Sequence, residues 1–145
     1  MTGGPHIQIA AICEKALQEA DGVLSLVRII DRFFVTAQGT DIPENLPPSN
    51  LSFDLVISLK SDAARGRQMV HVRPEAPSGQ QLETFQFPVL FEGGNRGANI
   101  VAKMNFQVDQ EGLYWFDVLL GGTQLLTRVP LEVVYQPQPG RTGTP

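Results

Sequence analysis

Leu51, Phe53, Leu55, Ile57 and Leu59 alternate without a break with Ser52, Asp54, Val56, Ser58 and Lys60. A helix built on this pattern would scatter its apolar residues around the whole cylinder. A strand gathers them on one face, because successive side chains point to opposite sides. The same period recurs at Ile100, Ala102, Met104, Phe106 and Val108, and again at Phe85, Phe87, Val89 and Phe91. Pro88, on the opposite face of that last run, points to an edge strand or a bulge. Met69–Arg73 reads as a shorter strand, closed by Pro74 and the turn residues that follow it.

Toward the N-terminus the pattern is less clean. Ile7, Ile9, Ala11 and Cys13 alternate as a strand of small residues, and Glu14–Asp21 offers helix formers for about two turns, stopped at Gly22. Val23–Val35 is apolar on both faces, which fits a strand buried on both sides or one that bends between two sheets.

Near the C-terminus, Leu113–Leu120 and Thr123–Tyr135 flank Gly121-Gly122 as a hairpin. A two-residue turn sets Trp115 opposite Arg128, whereas a four-residue turn sets Asp117 there; the two-residue turn is preferred. A three-residue turn would send one apolar set to solvent.

The expected fold is all-β: an antiparallel two-sheet sandwich of about eight strands, with one short helical segment near 14–21. A partly open barrel is the alternative. The domain spans 6–135. Gly39–Asn50 reads as a loop and 136–145 as a flexible tail.

With 145 residues the chain fits one domain with a real core. Fifteen acidic against eleven basic residues argue against a nucleic-acid binder, which works through a basic face. A lone cysteine forms no internal disulfide. No apolar run is long enough to span a bilayer, and the N-terminus lacks the basic and apolar regions of a signal peptide, so a cytoplasmic protein is expected.

The segment His6–Val35 carries a Cys-Glu after the first strand, Asp-Gly-Val-Leu-Ser at 21–25 and Arg-Ile-Ile-Asp-Arg at 28–32. Glu111–Tyr135 carries a Gly-x-Tyr-Trp-Phe hairpin. Together they resemble an uncharacterised family of small bacterial β-sandwich proteins, a domain of unknown function, from His6 to Tyr135. The resemblance implies no activity and no site residues. The hairpin is also similar to the last two strands of immunoglobulin-like domains, a fold that hosts unrelated functions.

Few residues suggest chemistry. Cys13 sits beside Glu14, which opposes a thiolate, and no histidine stands at a telling spacing. His6, His71 and Cys13 do not make a zinc site. Asp41, Glu44, Asp62, Asp109 and Glu111 fall in expected loops, but nothing makes them converge as calcium requires. Glu92–Gly97 lacks the ending and context of a phosphate loop and reads as a flexible connection. Asp31 shares an apolar face with Ile29 and Phe33 and needs a partner there.

Trp115 is the most suggestive residue. It points away from Tyr114 and Phe116, together with Leu113 and Leu119, and Arg128 can stack on its indole. Either the Glu14–Asp21 segment or the N-terminal strand covers it, or it forms a contact face of Leu113, Trp115, Leu119 and Arg128. The expected function is a non-catalytic module acting by protein contact or self-association, with no cofactor. The alternative is a sandwich binding a small ligand, carbohydrate or calcium through loop residues such as Asp41, Asp62 and Asn95.

Overall fold

The computed structural model describes residues 3–39 and 41–139. They form seven strands and no helix: β1 (His6–Gln18), β2 (Leu24–Ile29), β3 (Arg32–Gly39), β4 (Ser49–Glu75), β5 (Phe85–Val108), β6 (Gly112–Leu120) and β7 (Gln124–Pro139). Hydrogen bonds join them in one sheet of order β2-β1-β4-β6-β7-β3, with β5 on β4. Every pairing is antiparallel except that of β3 with β7, which is parallel.

The architecture follows from two strands of unusual length. β4 has 27 residues and β5 has 24, against about 5–6 in an ordinary strand. They stay paired from Ser49↔Val108 to Val72↔Phe85, with register shifts between Lys60 and Arg65. Bulges bend and twist a strand pair, and this one supplies the left-handed backbone a corner needs. Gly93 and Gly94 have φ of 88° and 63°, opposite Asp62 at 49°. Arg65 lies against Gly93, where any β-carbon would strike its guanidinium, and its Nη1 donates to Glu92 O at 3.1 Å.

Before the corner β4 pairs with β1, and after it with β6. Side chains from the two halves of the sheet, before and after this corner, pack together in one interior. Phe53 and Phe106 from the first half meet Phe116 of β6 at ring-centroid distances of 6.0 and 5.0 Å. Leu55, Ile57, Val70, Val72, Val118 and Leu131 complete the buried interior.

One continuous sheet therefore replaces the two expected. The Leu51–Lys60 and Met69–Arg73 strands are one strand, as are Phe85–Phe91 and Ile100–Val108, while Val23–Val35 divides into two, and the count becomes seven instead of about eight. The polar and glycine-rich stretches between them, including Glu92–Gly97, are paired corner backbone and not a flexible connection. Pro88 does stand on an edge strand, since β5 pairs only with β4.

The expected helix near 14–21 is also absent. β1 runs on to Gln18 and pairs with β2, from Gln18↔Leu24 to Cys13↔Ile29. Two isolated helical turns are marginal in water, whereas the hairpin satisfies the same backbone groups. Gly22, with φ of 88°, serves the turn that links the two strands.

Val23–Val35 breaks at Ile30–Asp31, sending β2 and β3 to opposite ends of the sheet order. Asp31 is exposed at that break, so its carboxylate needs no buried partner, and its carbonyl accepts Glu132 N–H at 3.1 Å. Of the expected tail, Gln136–Pro139 continues β7 beside Thr36–Gly39, and 140–145 lies outside the described residues.

The loop between β3 and β4 is present, and Tyr135 Oη donates to Pro43 O across it at 2.8 Å. Among the described residues, no helix is long and apolar enough to cross a membrane.

Candidate functional site

The β6–β7 hairpin sets the register around Trp115. Leu120 pairs with Gln124, leaving a three-residue turn, and a bulge between Val118 and Leu119 shifts the rest of the ladder. Leu126 is the extra residue, and it restores the parity that a three-residue turn alone would destroy. Asp117, not Trp115, stands opposite Arg128. The preferred two-residue turn is thus incorrect, because bulges are invisible to alternation counting.

Leu113, Trp115, Asp117 and Leu119 share the face of β6 turned away from the core, and Arg128 joins them from β7. Arg128 still reaches the indole, diagonally, with its guanidinium carbon 4.6 Å from the ring centroid. Its Nε donates to Asp117 Oδ1 at 2.6 Å, which holds the guanidinium more firmly protonated than usual. Arg73 Nη2 lies 3.6 Å from Asp117 Oδ2, and Glu75 lies 3.5 Å from Arg128.

Asp117 and Leu119 are buried within this cluster, Trp115 is half-buried, and Leu113 is exposed. The four expected face residues are brought together around an ion-pair network of Arg73, Glu75, Asp117 and Arg128, in which Arg73 Nε alone is buried without a hydrogen-bond partner. The Glu14–Asp21 segment, one expected cover for the indole, lies elsewhere: Ala16 N–H donates to Asp54 Oδ2 at 2.8 Å.

The β1–β2 hairpin builds a second surface. Past Cys13 it folds over the side of β4 that faces away from the core. Val56 and Cys13 lie on that side and outside the main core cluster, yet neither is accessible to solvent. Leu24 and Leu26 turn inward toward Val56.

By alternation, the residues between them turn outward. Val27 on β2 shares this outer face with Leu17 on β1; beyond the two ends of that run Val23 is 58% exposed at the rim of the hairpin and Ile29, past the left-handed Arg28, is 68% exposed. The sequence signal was the apolar character of both faces of Val23–Val35. Here it reflects one face on the sheet and one in solvent, and not burial on both sides.

Under this hairpin Cys13 is an inert thiol. Burial raises its pKa, and the Asp54 charge raises it further, which disfavours the thiolate needed for nucleophilic or metal chemistry. Among the described residues, no group of three or more His, Cys, Asp or Glu side chains could hold a metal ion. Asp62 pairs with His6 Nε2 at 2.7 Å. Asp62 and Asn95 both belong to the β4–β5 corner, whereas Asp41 sits in the β3–β4 loop. His71 packs near Gly122 at the hairpin turn.

Among solved structures, the chain is similar to an immunoglobulin-like protein from Pseudomonas aeruginosa. Identity is 12% and the TM-score 0.37, with 90% of this chain and 97% of that chain covered. No curated protein matches it. Residues 8–134 match the model of a family of unknown function (DUF6941), and the expected kinship with an uncharacterised domain family holds on that ground: the chain belongs to this family.

Proposed function

We propose that this domain is a non-catalytic module that acts by protein–protein contact, through the outward face of the β1–β2 hairpin. The observation carrying this reading is the exposure of Leu17, Val23, Val27 and Ile29 on one edge hairpin of a chain with an ample core. Apolar side chains scattered singly are ordinary, but a group on one element signals a binding surface. β2 is also a terminal strand of the sheet, with one side unpaired.

The Leu113–Trp115–Leu119–Arg128 face is the weaker candidate, because its charges pair with one another and Leu119 is already buried. Contact in the cytoplasm is consistent with a single thiol kept reduced. The fold we assign to this single sheet is a sandwich whose two layers share β4 and β5.

A pull-down comparing wild type, a Val27→Ser/Ile29→Ser variant and Trp115→Ala tests the assignment. The exposed Val27 and Ile29 changes leave stability within about 0.5 kcal/mol each, and a thermal melt of each variant, including the half-buried Trp115→Ala, confirms that it is folded. The hairpin variant is expected to lose the captured protein or second copy while Trp115→Ala keeps it. Equal capture by the hairpin variant and wild type overturns the reading.

A further inference from the structure

The inward face of the same hairpin borders an open cleft of about 380 Å³, within the range of small-ligand sites. Its apolar wall is Ile9, Val23, Leu24, Leu26 and Val56. Its polar side is Gln8, Ser58 and Asn99, with Lys60 as the only charged lining residue. Ser58 Oγ lies 2.7 Å from Asn99 Oδ1 and 3.3 Å from Gln8 Oε1.

Ser58 has one hydroxyl proton and gives it to the nearer oxygen, Asn99 Oδ1, which leaves the Asn99 NH₂ group as a donor. Lys60 forms no ion pair among the described residues, in contrast to Lys103, whose Nζ lies 3.6 Å from Asp54. Gly97 stands directly across the ladder from Lys60 and puts no side chain into the space beside it. The cleft therefore combines an aliphatic wall, the Asn99 amide donor and one positive charge without an ion-pair partner, with no carboxylate in its lining.

We propose that the space between the β1–β2 hairpin and β4 is a binding site for a small aliphatic carboxylate. Its anionic head group meets Lys60 and Asn99, and its chain lies along Leu24, Leu26 and Val56. Charge-assisted hydrogen bonds fix the head group, and burial of the chain supplies the rest of the affinity. Val23 borders both surfaces, but Leu17, Val27 and Ile29 do not line the cleft, and the Val27→Ser/Ile29→Ser variant therefore tests the contact reading apart from this one.

Octanoate, octanol and octylamine, titrated into the full ¹⁵N-labelled chain, test it. Octanoate is expected to shift the amide signals of Leu24, Ser58 and Asn99 and to bind more tightly than octylamine. Lys60→Gln removes the charge at an exposed position. Asn99→Asp keeps an oxygen for Ser58 but adds a negative charge. Each is expected to weaken octanoate about ten-fold or more while leaving octanol unchanged. The proposal is overturned if octanoate shifts none of these signals at millimolar concentration. Equal binding of octylamine, or wild-type affinity for octanoate in both variants, overturns it as well.

Discussion

Replacing Phe116 with alanine is expected to destabilise the protein by about 3–5 kcal/mol, a large share of the roughly 5–15 kcal/mol that holds a domain together. The ring is fully buried and touches Phe53 and Phe106, which come from the other half of the sheet. Its removal opens a cavity where the two halves meet and deletes two aromatic contacts as well. The thermal midpoint should fall by roughly 10–20 °C, from about 4 °C per kcal/mol for a chain near this size. Leu113→Ala, one strand position from Tyr114 but 42% exposed, is the control and should move the midpoint far less. Calorimetry on both variants checks this. A Phe116→Ala loss no larger than the Leu113→Ala loss would mean that the halves do not pack through this cluster.

Replacing Asp54 with alanine is expected to make Cys13 react about 10–100 times faster with a small disulfide reagent. Asp54 Oδ2 accepts the Ala16 N–H, and this bond pins the start of the β1–β2 hairpin to β4. The exposed Lys103 ammonium beside it adds little. Losing the acceptor strands a backbone donor at a cost of about 1–3 kcal/mol, paid when the hairpin opens less reluctantly. Two effects then act on the thiol.

Opening raises the rate at every pH. Removing the Asp54 charge removes one of the causes that raise the thiol pKa, and so moves the rate profile toward lower pH. Asp54→Asn separates them, because an amide oxygen still accepts the bond while the charge is gone. It should shift the pH profile with little change in the plateau rate, whereas Asp54→Ala should change both. An Asp54→Ala plateau equal to wild type would show that the hairpin is held by other contacts.

The strands of the interior were legible because burial on one face leaves a period of two. Leu51–Lys60, Phe85–Phe91 and Ile100–Val108 all appear where alternation places them. Their joining was not legible. Gly93 and Gly94 have the composition of a loop, and only the pairing partner Asp62–Arg65 makes them a bend inside a ladder. Local propensity misled at Glu14–Asp21, where tertiary pairing with Leu24–Ile29 outweighs two turns of helix. Parallel pairing of β3 with β7 joins residues about a hundred positions apart, beyond any local pattern.

At the candidate site, the grouping of Leu113, Trp115, Leu119 and Arg128 was readable from strand parity. The Arg128–Asp117 pair was one of the two register choices left open, whereas Glu75, which also pairs with Arg128, and Arg73, which pairs with Asp117, come from another strand that parity cannot align. The exposed side of the β1–β2 hairpin was hidden for a related reason. An apolar residue on a second face reads the same whether a neighbour covers it or solvent does, until the sheet order is known.

Photo-crosslinking from the hairpin tests the contact assignment most directly. A benzophenone side chain is placed at Val27, at Trp115 and at Gln86, an exposed position on β5 that serves as the background. Each full-length variant is irradiated in the cells that make the protein. The assignment predicts a discrete covalent adduct, either with a second copy or with another protein, from position 27 and not from position 86. Background yield at position 27, or an adduct from position 115 alone, would contradict it.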